Sequence, residues 1–302
     1  MTDTILQLEG VKKSYNDRQV LRQIDLSIRP GELTGIIGNN GQGKTTLMRI
    51  ILGLLKVDSG KILIEGHNAD IPRSIEQKRI FGYLPESVFF YPEMTGRNVL
   101  RFFTGLKKGD CGIIDNLLKT TGIEYAADQK VKTYSKGMKQ RLGLAQALAG
   151  NPKLLILDEP TNGLDPAGIS DFYKILADLR AQGIAILLSS HLLSEIESHL
   201  DRLAIMKDGI FVKQGSLETL VSEAVLKTSI RFRIVKNENA VMDRLVSYQI
   251  QKNGNNIFTA SCVRSDKDEL LQRLTGLHDS VNLMAIQDPG LDEIFHYFNN
   301  EH

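Results

Sequence analysis

A glycine-rich segment that follows a short apolar run restricts the fold of this 302-residue chain more than any other feature. The run LTGIIG (33–38) has the pattern of a buried strand, and GNNGQGKTT (38–46) continues it with the spacing G-x-x-x-x-G-K-[ST]. In such a loop, backbone N–H groups turn inward around phosphate oxygens, and the N-terminus of the next helix adds positive potential. The segment therefore predicts a phosphate-binding loop between a strand and a helix of an α/β domain.

The side chains of this loop suit a nucleotide that carries a metal ion. Lys44 is expected to place a positive charge on the β and γ phosphates, and the Thr45 hydroxyl is expected to ligate Mg²⁺. The other residues expected to surround the phosphates are Gly38, Asn39, Asn40, Gly41, Gln42, Gly43 and Thr46. Nucleotide binding with Mg²⁺ is therefore predicted.

Two carboxylates end a second buried-strand pattern, LLILDEP (154–160). Ligands of open α/β sheets bind beyond the carboxyl ends of parallel strands, which is where Asp158 and Glu159 are expected. Asp158 is predicted to hold Mg²⁺, and Glu159 to accept a proton from the water that attacks the γ-phosphate. Solvated acidic side chains are the alternative for this segment alone, but the phosphate loop upstream favours a hydrolytic site.

Charge and hydropathy exclude several classes of partner. Lys and Arg number 37 and Asp and Glu 36, so there is no excess positive charge to hold nucleic acid. The longest apolar runs fall far short of the roughly 20 residues that span a bilayer, and the start of the chain lacks the basic region of a secretory signal. Cys111 and Cys262 are widely separated in the sequence, which fits a protein of the reducing cytosol. These features predict a cytoplasmic protein with no nucleic-acid partner.

The order of the patterns indicates two domains. Helical periodicity from about residue 86 to 150 predicts a helical insertion between the phosphate loop and LLILDEP. From about residue 223 the order becomes β-α-β-β-α-β with a terminal helix, and a hairpin is expected at Asn253-Gly254. We therefore predict a nucleotide-binding domain over 1–222 and a small ferredoxin-like α+β domain over 223–302.

Further segments resemble the motifs of the ABC family of ATP-binding proteins. YSKGMKQR (134–141) resembles the ABC signature, with Ser135 and Gly137 in matching places, although Lys136 and Met138 depart from the common LSGGQ. The other matching residues are Asp165 in GLDP, His191 after the run IAILLSS, and Tyr15 in KSYNDRQVL. In their joint order, these motifs identify an ABC-type P-loop NTPase with a parallel-sheet core and a helical insertion.

This resemblance implies a mechanism shared between two chains. Two copies close head to tail, so that Ser135 and Gly137 of one chain contact the γ-phosphate of an ATP held by Lys44 of the other. The resemblance further implies that Tyr15 stacks on adenine and that Glu159 works with His191 in hydrolysis. It implies an integral membrane permease as the partner that the closing dimer drives.

A second motif also departs from the family pattern. GYLPE (82–86) has Glu86 where many ABC proteins carry the glutamine that links Mg²⁺ to the permease contact. A carboxylate is also an oxygen ligand, so Glu86 is expected to serve Mg²⁺ with an additional negative charge. The large apolar residues that follow, Val88, Phe89, Phe90 and Tyr91, are predicted to contact the permease. Packing of the insertion against the core is the alternative for this cluster.

Longer runs narrow the resemblance within the ABC family. GYLPESVFFYPEMTGRNVL and VKTYSKGMKQRLGLAQAL resemble the NosF-type ATPases of the copper-processing systems that mature nitrous oxide reductase. That implies a periplasmic accessory protein acting through the permease, with copper specificity in the partners. ATPases that export drugs or polysaccharide contain similar motifs and are one alternative. ABC proteins that act on DNA or ribosomes are a further alternative. A stand-alone P-loop kinase or GTPase would leave YSKGMKQR and GLDP unexplained.

Overall fold

A computed structural model describes residues 4–69, 72–107, 109–190, 196–224 and 226–300 of the chain. The chain divides into two compact units, Met1–Ser216 and Leu217–His302. The division lies six residues before the domain boundary predicted at 222–223. The difference arises because the helix at Leu217–Glu223 contacts the helix at Leu291–Asn300, within the second unit.

The first unit contains a mixed sheet whose described strands number ten. They are β1 (Leu6–Tyr15), β2 (Arg18–Ile28), β3 (Leu33–Ile37), β4 (Ser59–Ile64), β5 (His67–Asn68), β6 (Phe81–Leu84), β7 (Leu154–Asp158), β8 (Ala185–Ser190), β9 (Arg202–Lys207) and β10 (Ile210–Gly215). Their order is β5-β4-β1-β2-β10-β9-β3-β8-β7-β6. Strands β6, β7, β8, β3 and β9 are parallel neighbours, and the buried runs predicted β3, β7 and β8 among them. In contrast, β1 pairs antiparallel with β2 and β4.

The helices of the first unit cover the sheet and form the insertion. Those described are α1 (Lys44–Ile51), α2 (Ile75–Arg79), α3 (Gly96–Leu106), α4 (Ile114–Thr120), α5 (Lys136–Leu148) and α6 (Pro166–Ala181). Helices α3, α4 and α5 contact one another within the segment predicted as a helical insertion. Short 3₁₀ turns lie at Cys111–Ile113, Glu124–Ala126, Val131–Thr133 and Glu197–His199.

The core of the first unit fixes the phosphate loop from both sides. Every residue of β3 before the loop is buried, because this strand lies between β8 and β9 in the middle of the sheet. After the loop, Leu47, Met48, Ile50 and Ile51 of α1 are fully buried in the same apolar cluster as Ile36. Losing one such leucine to alanine costs about 2–5 kcal/mol in comparable cores, so the loop is held between two well-anchored elements.

The second unit has the ferredoxin-like topology that the element order predicted. Its strands are β11 (Lys227–Ile234), β12 (Gln249–Lys252), β13 (Ile257–Val263) and β14 (Val281–Gln287), and its helices are α7 (Leu217–Glu223), α8 (Glu238–Arg244), α9 (Lys267–Thr275) and α10 (Leu291–Asn300). The strands form an antiparallel sheet in the order β12-β13-β11-β14. Phe232 and Phe258 stack at 6.0 Å between ring centroids inside the unit's own core. The predicted hairpin turn spans 253–256, with left-handed backbone at Gly254 and Asn256.

Candidate functional site

The phosphate loop between β3 and α1 depends on glycine at two positions. Gly41 and Gly43 have φ values of 82° and 111°, in the left-handed region that other residues rarely adopt. A Cβ at Gly43 would also lie 2.8 Å from Cδ2 of Leu21 and 3.1 Å from the carbonyl oxygen of Val20. The loop therefore keeps its curvature only with glycine at these positions, and α1 begins directly after it at Lys44.

Lys44 is folded back over the loop. Its side chain is buried, with 6% of the residue exposed, and Nζ donates hydrogen bonds to the carbonyl oxygens of Gly38 and Asn39. Nζ also lies 3.8 Å from Oε1 of Glu159. Burial lowers the pKa of Lys44, and the nearby carboxylates, Glu159 foremost, oppose that shift. An anion that entered the loop would compensate the partly desolvated ammonium group.

Asp158 and Thr45 bring two oxygen groups together at the end of β7. Thr45 Oγ1 donates to Asp158 Oδ2 at 3.2 Å, and Ser189 Oγ donates to Asp158 Oδ1 at 2.7 Å. Ser189 Oγ in turn accepts a hydrogen bond of 3.0 Å from the backbone N–H of Glu159. Because β7 and β8 are parallel neighbours in register at Asp158 and Ser189, the two side chains meet at one sheet edge.

Ser189 was not among the site residues predicted from the sequence. Its signal was present in the run IAILLSS, since a hydroxyl at the carboxyl end of a buried strand next to β7 lies where the acidic residues do. The register between the two strands decides which of the two serines faces Asp158, and that register comes from the fold.

Glu159 has an unusual backbone. Its φ is 48°, a left-handed conformation that costs a non-glycine residue of order 1–3 kcal/mol. The residue follows β7 directly, is buried and lines the cavity in front of Lys44. Strain of this kind is concentrated at functional sites, where the surrounding structure holds the residue in place.

Glu86 reaches the same cavity from the other side of β7, after β6. Its Oε1 accepts a hydrogen bond of 3.3 Å from the side-chain amide of Asn162. Asn162 was not among the predicted site residues, because it lies in the loop after Glu159 and belongs to no motif recognised from the sequence. Glu86 is exposed, whereas Asn162 is half-buried.

These groups surround one cavity of about 370 Å³. The predicted residues that line it are Asn39, Asn40, Gly41, Gly43, Lys44, Thr45, Thr46, Glu86, Asp158 and Glu159, and Val20 and Asn162 join them. Three carboxylates and one ammonium group thus face the same space.

Three predicted residues of the nucleotide set lie outside this lining. Gly38 lies beneath the loop, close to the carbonyl oxygen of Met206. Gln42 accepts a hydrogen bond from the backbone N–H of Asp208 and lines an adjoining hollow. Tyr15 ends β1 with 44% of its surface exposed, and Lys13 Nζ lies 5.8 Å from its ring centroid. An exposed ring at this position is available for stacking, but it does not border the phosphate cavity.

The remaining motif residues line a different hollow of about 270 Å³. Ser135 caps the N-terminus of α5 by accepting a hydrogen bond of 3.2 Å from the N–H of Met138. Asp165 caps α6 in the same way, through the N–H of Gly168 at 3.0 Å. Gly137 lines this hollow with them, and the hollow shares no lining residue with the cavity at Lys44. We refer to it below as the signature groove.

His191, the remaining predicted catalytic residue, lies outside the described residues. Its predicted role therefore stays a prediction.

The site offers hard oxygen ligands but no complete metal cage. Within the described parts of the chain, no group of three or more His, Cys, Asp or Glu side chains is placed to hold a metal ion. Mg²⁺ is usually bound by one or two protein oxygens together with nucleotide phosphates and water. The adjacent oxygens of Thr45 and Asp158 fit that incomplete type of site.

Within the residues that the structure describes, no helix is long and apolar enough to cross a membrane.

Comparison with known proteins gives a consistent result. The family model described as "ABC transporter" matches residues 21–162. The ABC transporter ATP-binding protein YdbJ of Bacillus subtilis is 44% identical over 222 residues, which cover 72% of this chain and 71% of YdbJ. The Nod factor export ATP-binding protein I of Bradyrhizobium diazoefficiens is 31% identical over 98% of this chain and 96% of its own length. The structure of cbiO1 from Clostridium perfringens, part of the ABC transporter complex cbiONQ, has a TM-score of 0.67 at 33% identity, covering 74% of this chain and 92% of cbiO1.

Proposed function

The chain belongs to the ABC transporter family of ATP-binding, ATP-hydrolysing proteins, and we propose that two copies of it drive a separate integral membrane permease. One observation carries the proposal, namely that the phosphate cavity and the signature groove are separate in a single chain. If the groove of one copy faces the cavity of a second, each ATP is enclosed from both sides. The closed state is then the only one that makes all phosphate contacts, so ATP binding drives closure.

Within each shared site, different residues bind the phosphates, enclose them and hold Mg²⁺. The loop N–H groups and Lys44 bind the phosphates, and Ser135 and Gly137 of the second copy complete the enclosure. Thr45 and Asp158, with Glu86 beside them, would hold Mg²⁺, which screens phosphate charge when bound. Asp165, at the end of the signature groove, belongs to the surface that meets the second copy.

Glu159 accepts the proton of the attacking water in this proposal, assisted by His191. The geometry of Glu159 supports that role, because its backbone turns the carboxylate into the cavity beside Lys44. Tyr15, exposed at the end of β1, provides a face for the adenine ring. Hydrolysis removes the γ-phosphate contacts, and the two copies separate again.

The permease contact is proposed at the exposed aromatic residues after Glu86. Phe89 is 88% exposed and Tyr91 is 71% exposed, and both border an apolar hollow of about 310 Å³ that also includes Phe102 and Phe103. An exposed apolar hollow on an inserted segment suits a short helix from a partner. The chain would then work at the cytoplasmic face of the membrane.

The cargo is proposed from resemblance alone. The runs around GYLPE and YSKGM support a NosF-type role in copper processing for nitrous oxide reductase, with a periplasmic accessory protein acting through the permease. Similarity to a Nod factor export protein supports an exporter of another compound as the alternative. A deletion strain separates the two, since loss of copper from its nitrous oxide reductase supports the first, and normal copper content rejects it.

Dimer closure is tested with Glu159→Gln and Mg·ATP. Because this variant binds ATP but lacks the proton acceptor, we expect it to accumulate as a dimer in light-scattering measurements. The control is E159Q/S135E, in which a carboxylate in the signature groove repels the γ-phosphate and keeps the protein monomeric. An E159Q protein that stays monomeric and hydrolyses ATP at the wild-type rate would reject the proposal.

A further inference from the structure

The geometry points to Asn162 as a positioning residue that fixes Glu86 at the edge of the nucleotide cavity. Its side-chain amide Nδ2 donates to Glu86 Oε1 at 3.3 Å, across two segments that are 76 residues apart in the chain. This inference rests on the proposed function, in which Glu86 helps to hold Mg²⁺, and it assigns a task to a residue outside the recognised motifs.

The loop after β7 sets the position of Asn162. The backbone N–H of Asn162 donates to the carbonyl oxygen of Glu159 at 3.2 Å. The N–H of Leu164 donates to the carbonyl oxygen of Thr161 at 3.0 Å. These bonds turn the chain tightly after Glu159, so the half-buried side chain of Asn162 lines the cavity. Asn162 is thereby tied through its backbone to Glu159 and through its side chain to Glu86.

The chemistry of the pair follows from the glutamate in GYLPE. An ionised carboxylate can accept hydrogen bonds but cannot donate them, so its partner must be a donor. The cavity already holds Asp158 and Glu159, and an isolated third carboxylate would move away from them towards water. The neutral amide of Asn162 holds Oε1 of Glu86 without cancelling its charge, which leaves Oε2 available to a cation or water.

An arginine or lysine at position 162 would act differently. It would pair with Glu86 and neutralise it, so the carboxylate would be less able to serve as an oxygen ligand. An alanine would leave Glu86 unrestrained on an exposed loop. Asparagine is therefore suited to orienting this carboxylate, in the way that outer partners of metal ligands orient them.

Three variants separate positioning from other roles. N162A removes the amide, N162D replaces it with a like charge, and E86Q keeps an acceptor for Asn162 while removing the charge. If Asn162 acts through Glu86, N162A should raise the Mg²⁺ concentration for half-maximal ATPase activity roughly 10-fold. The shift should be larger for N162D, and ATP affinity in EDTA should not change.

Two readouts keep this inference distinct from the proposed function. The first is hydrogen exchange of the segment 81–90 in the protein without nucleotide or metal, which needs no hydrolysis and should accelerate in N162A and N162D but not in E86Q. The second is a cycle with E86A, in which adding N162A should cause no further shift in the Mg²⁺ requirement.

The contrary results are equally specific. Unchanged exchange in N162A, or a shift in N162A/E86A that exceeds the shift in E86A, would overturn the positioning role. If N162A does not fold, N162D and E86A supply the same comparison. An E159Q protein that stays monomeric with Mg·ATP and hydrolyses ATP at the wild-type rate would reject the proposed function, while accelerated exchange in N162A would still support the contact.

Discussion

The hydroxyl of Ser189 donates a 2.7 Å hydrogen bond to the carboxylate of Asp158, across two parallel strands and out of contact with solvent. The same oxygen accepts from the backbone N–H of Glu159. One serine therefore positions the consecutive acidic residues Asp158 and Glu159, although it does not belong to their motif.

Replacing Ser189 with alanine should reduce both stability and turnover. Loss of a buried hydrogen bond to a charged group costs about 1.5–3 kcal/mol, and Asp158 would lose part of its orientation. Urea unfolding and ATPase assays measure the two effects. Thr34→Val is the matched control, because Thr34 Oγ1 makes a similar buried bond to Glu32, at 2.8 Å. If S189A lowered stability while turnover stayed at the wild-type rate, the orienting role would be wrong.

Lys44→Met should abolish hydrolysis and leave the fold intact. Burial lowers the pKa of Lys44, so the folded protein binds this proton more weakly than the unfolded chain does. The residue's contribution to stability therefore falls as the pH decreases from the ordinary lysine pKa through the lowered folded pKa. K44M removes that dependence, and we expect its stability near neutral pH to equal or exceed that of the wild type.

Urea unfolding of K44M and wild type at neutral and alkaline pH measures this difference. The gap between the two proteins should narrow as the pH rises, because Lys44 then loses its proton in both states. A K44M protein that binds and hydrolyses ATP normally would remove Lys44 from the site.

The first unit should bind ATP by itself when the chain ends at Ser216. Every residue that lines the phosphate cavity lies before that point, and so does the whole first sheet. A fragment that ends at residue 222 should be less stable than the fragment 1–216. It would keep α7 without α10, so the apolar side chains of Leu220 and Val221, which are buried in the full chain, would be exposed to solvent. Thermal unfolding with and without ATP compares the two. Loss of ATP binding by a well-folded 1–216 fragment would contradict the assignment.

Phe89→Glu should weaken assembly with the permease and leave ATP affinity unchanged. Phe89 is the better probe, because Phe90 is half-buried with its ring 6.5 Å from that of Phe103, and Val88 packs near Gly143 of α5. Leu54→Glu, at another exposed apolar residue (71%), is the control. Co-purification with the membrane partner decides the matter, and equal recovery of F89E and L54E would place the contact elsewhere.

The fold follows from the sequence where the patterns are strong. Continuous apolar runs at 33–38 and 154–158 predicted buried parallel strands, and the order of elements predicted the ferredoxin-like second unit. The antiparallel pairing of β1 with β2 and β4 was not predicted, because local alternation does not encode which strands are neighbours. The boundary at Ser216 depends on the packing of α7 against α10, a long-range contact that local composition does not encode.

The site residues that belong to recognised motifs could be predicted from the sequence. Residues at fixed spacing, such as Lys44, Thr45 and Asp158, are brought together as expected. Ser189 and Asn162 were missed because neither belongs to a recognised motif, and only the fold brings them to their partners, 31 and 76 residues away in sequence. The sequence also could not divide the cluster at 88–91, where Phe89 and Tyr91 face solvent and Val88 and Phe90 pack inward.

The left-handed backbone of Glu159 has a consequence for how this protein changes under selection. Glycine adopts that conformation without penalty, so a screen for thermal tolerance alone should enrich glycine at position 159. The same substitution removes the carboxylate in front of Lys44. Selection for heat resistance would therefore favour glycine at this position, whereas selection for transport would favour glutamate. The glutamate should persist only in a population that depends on transport.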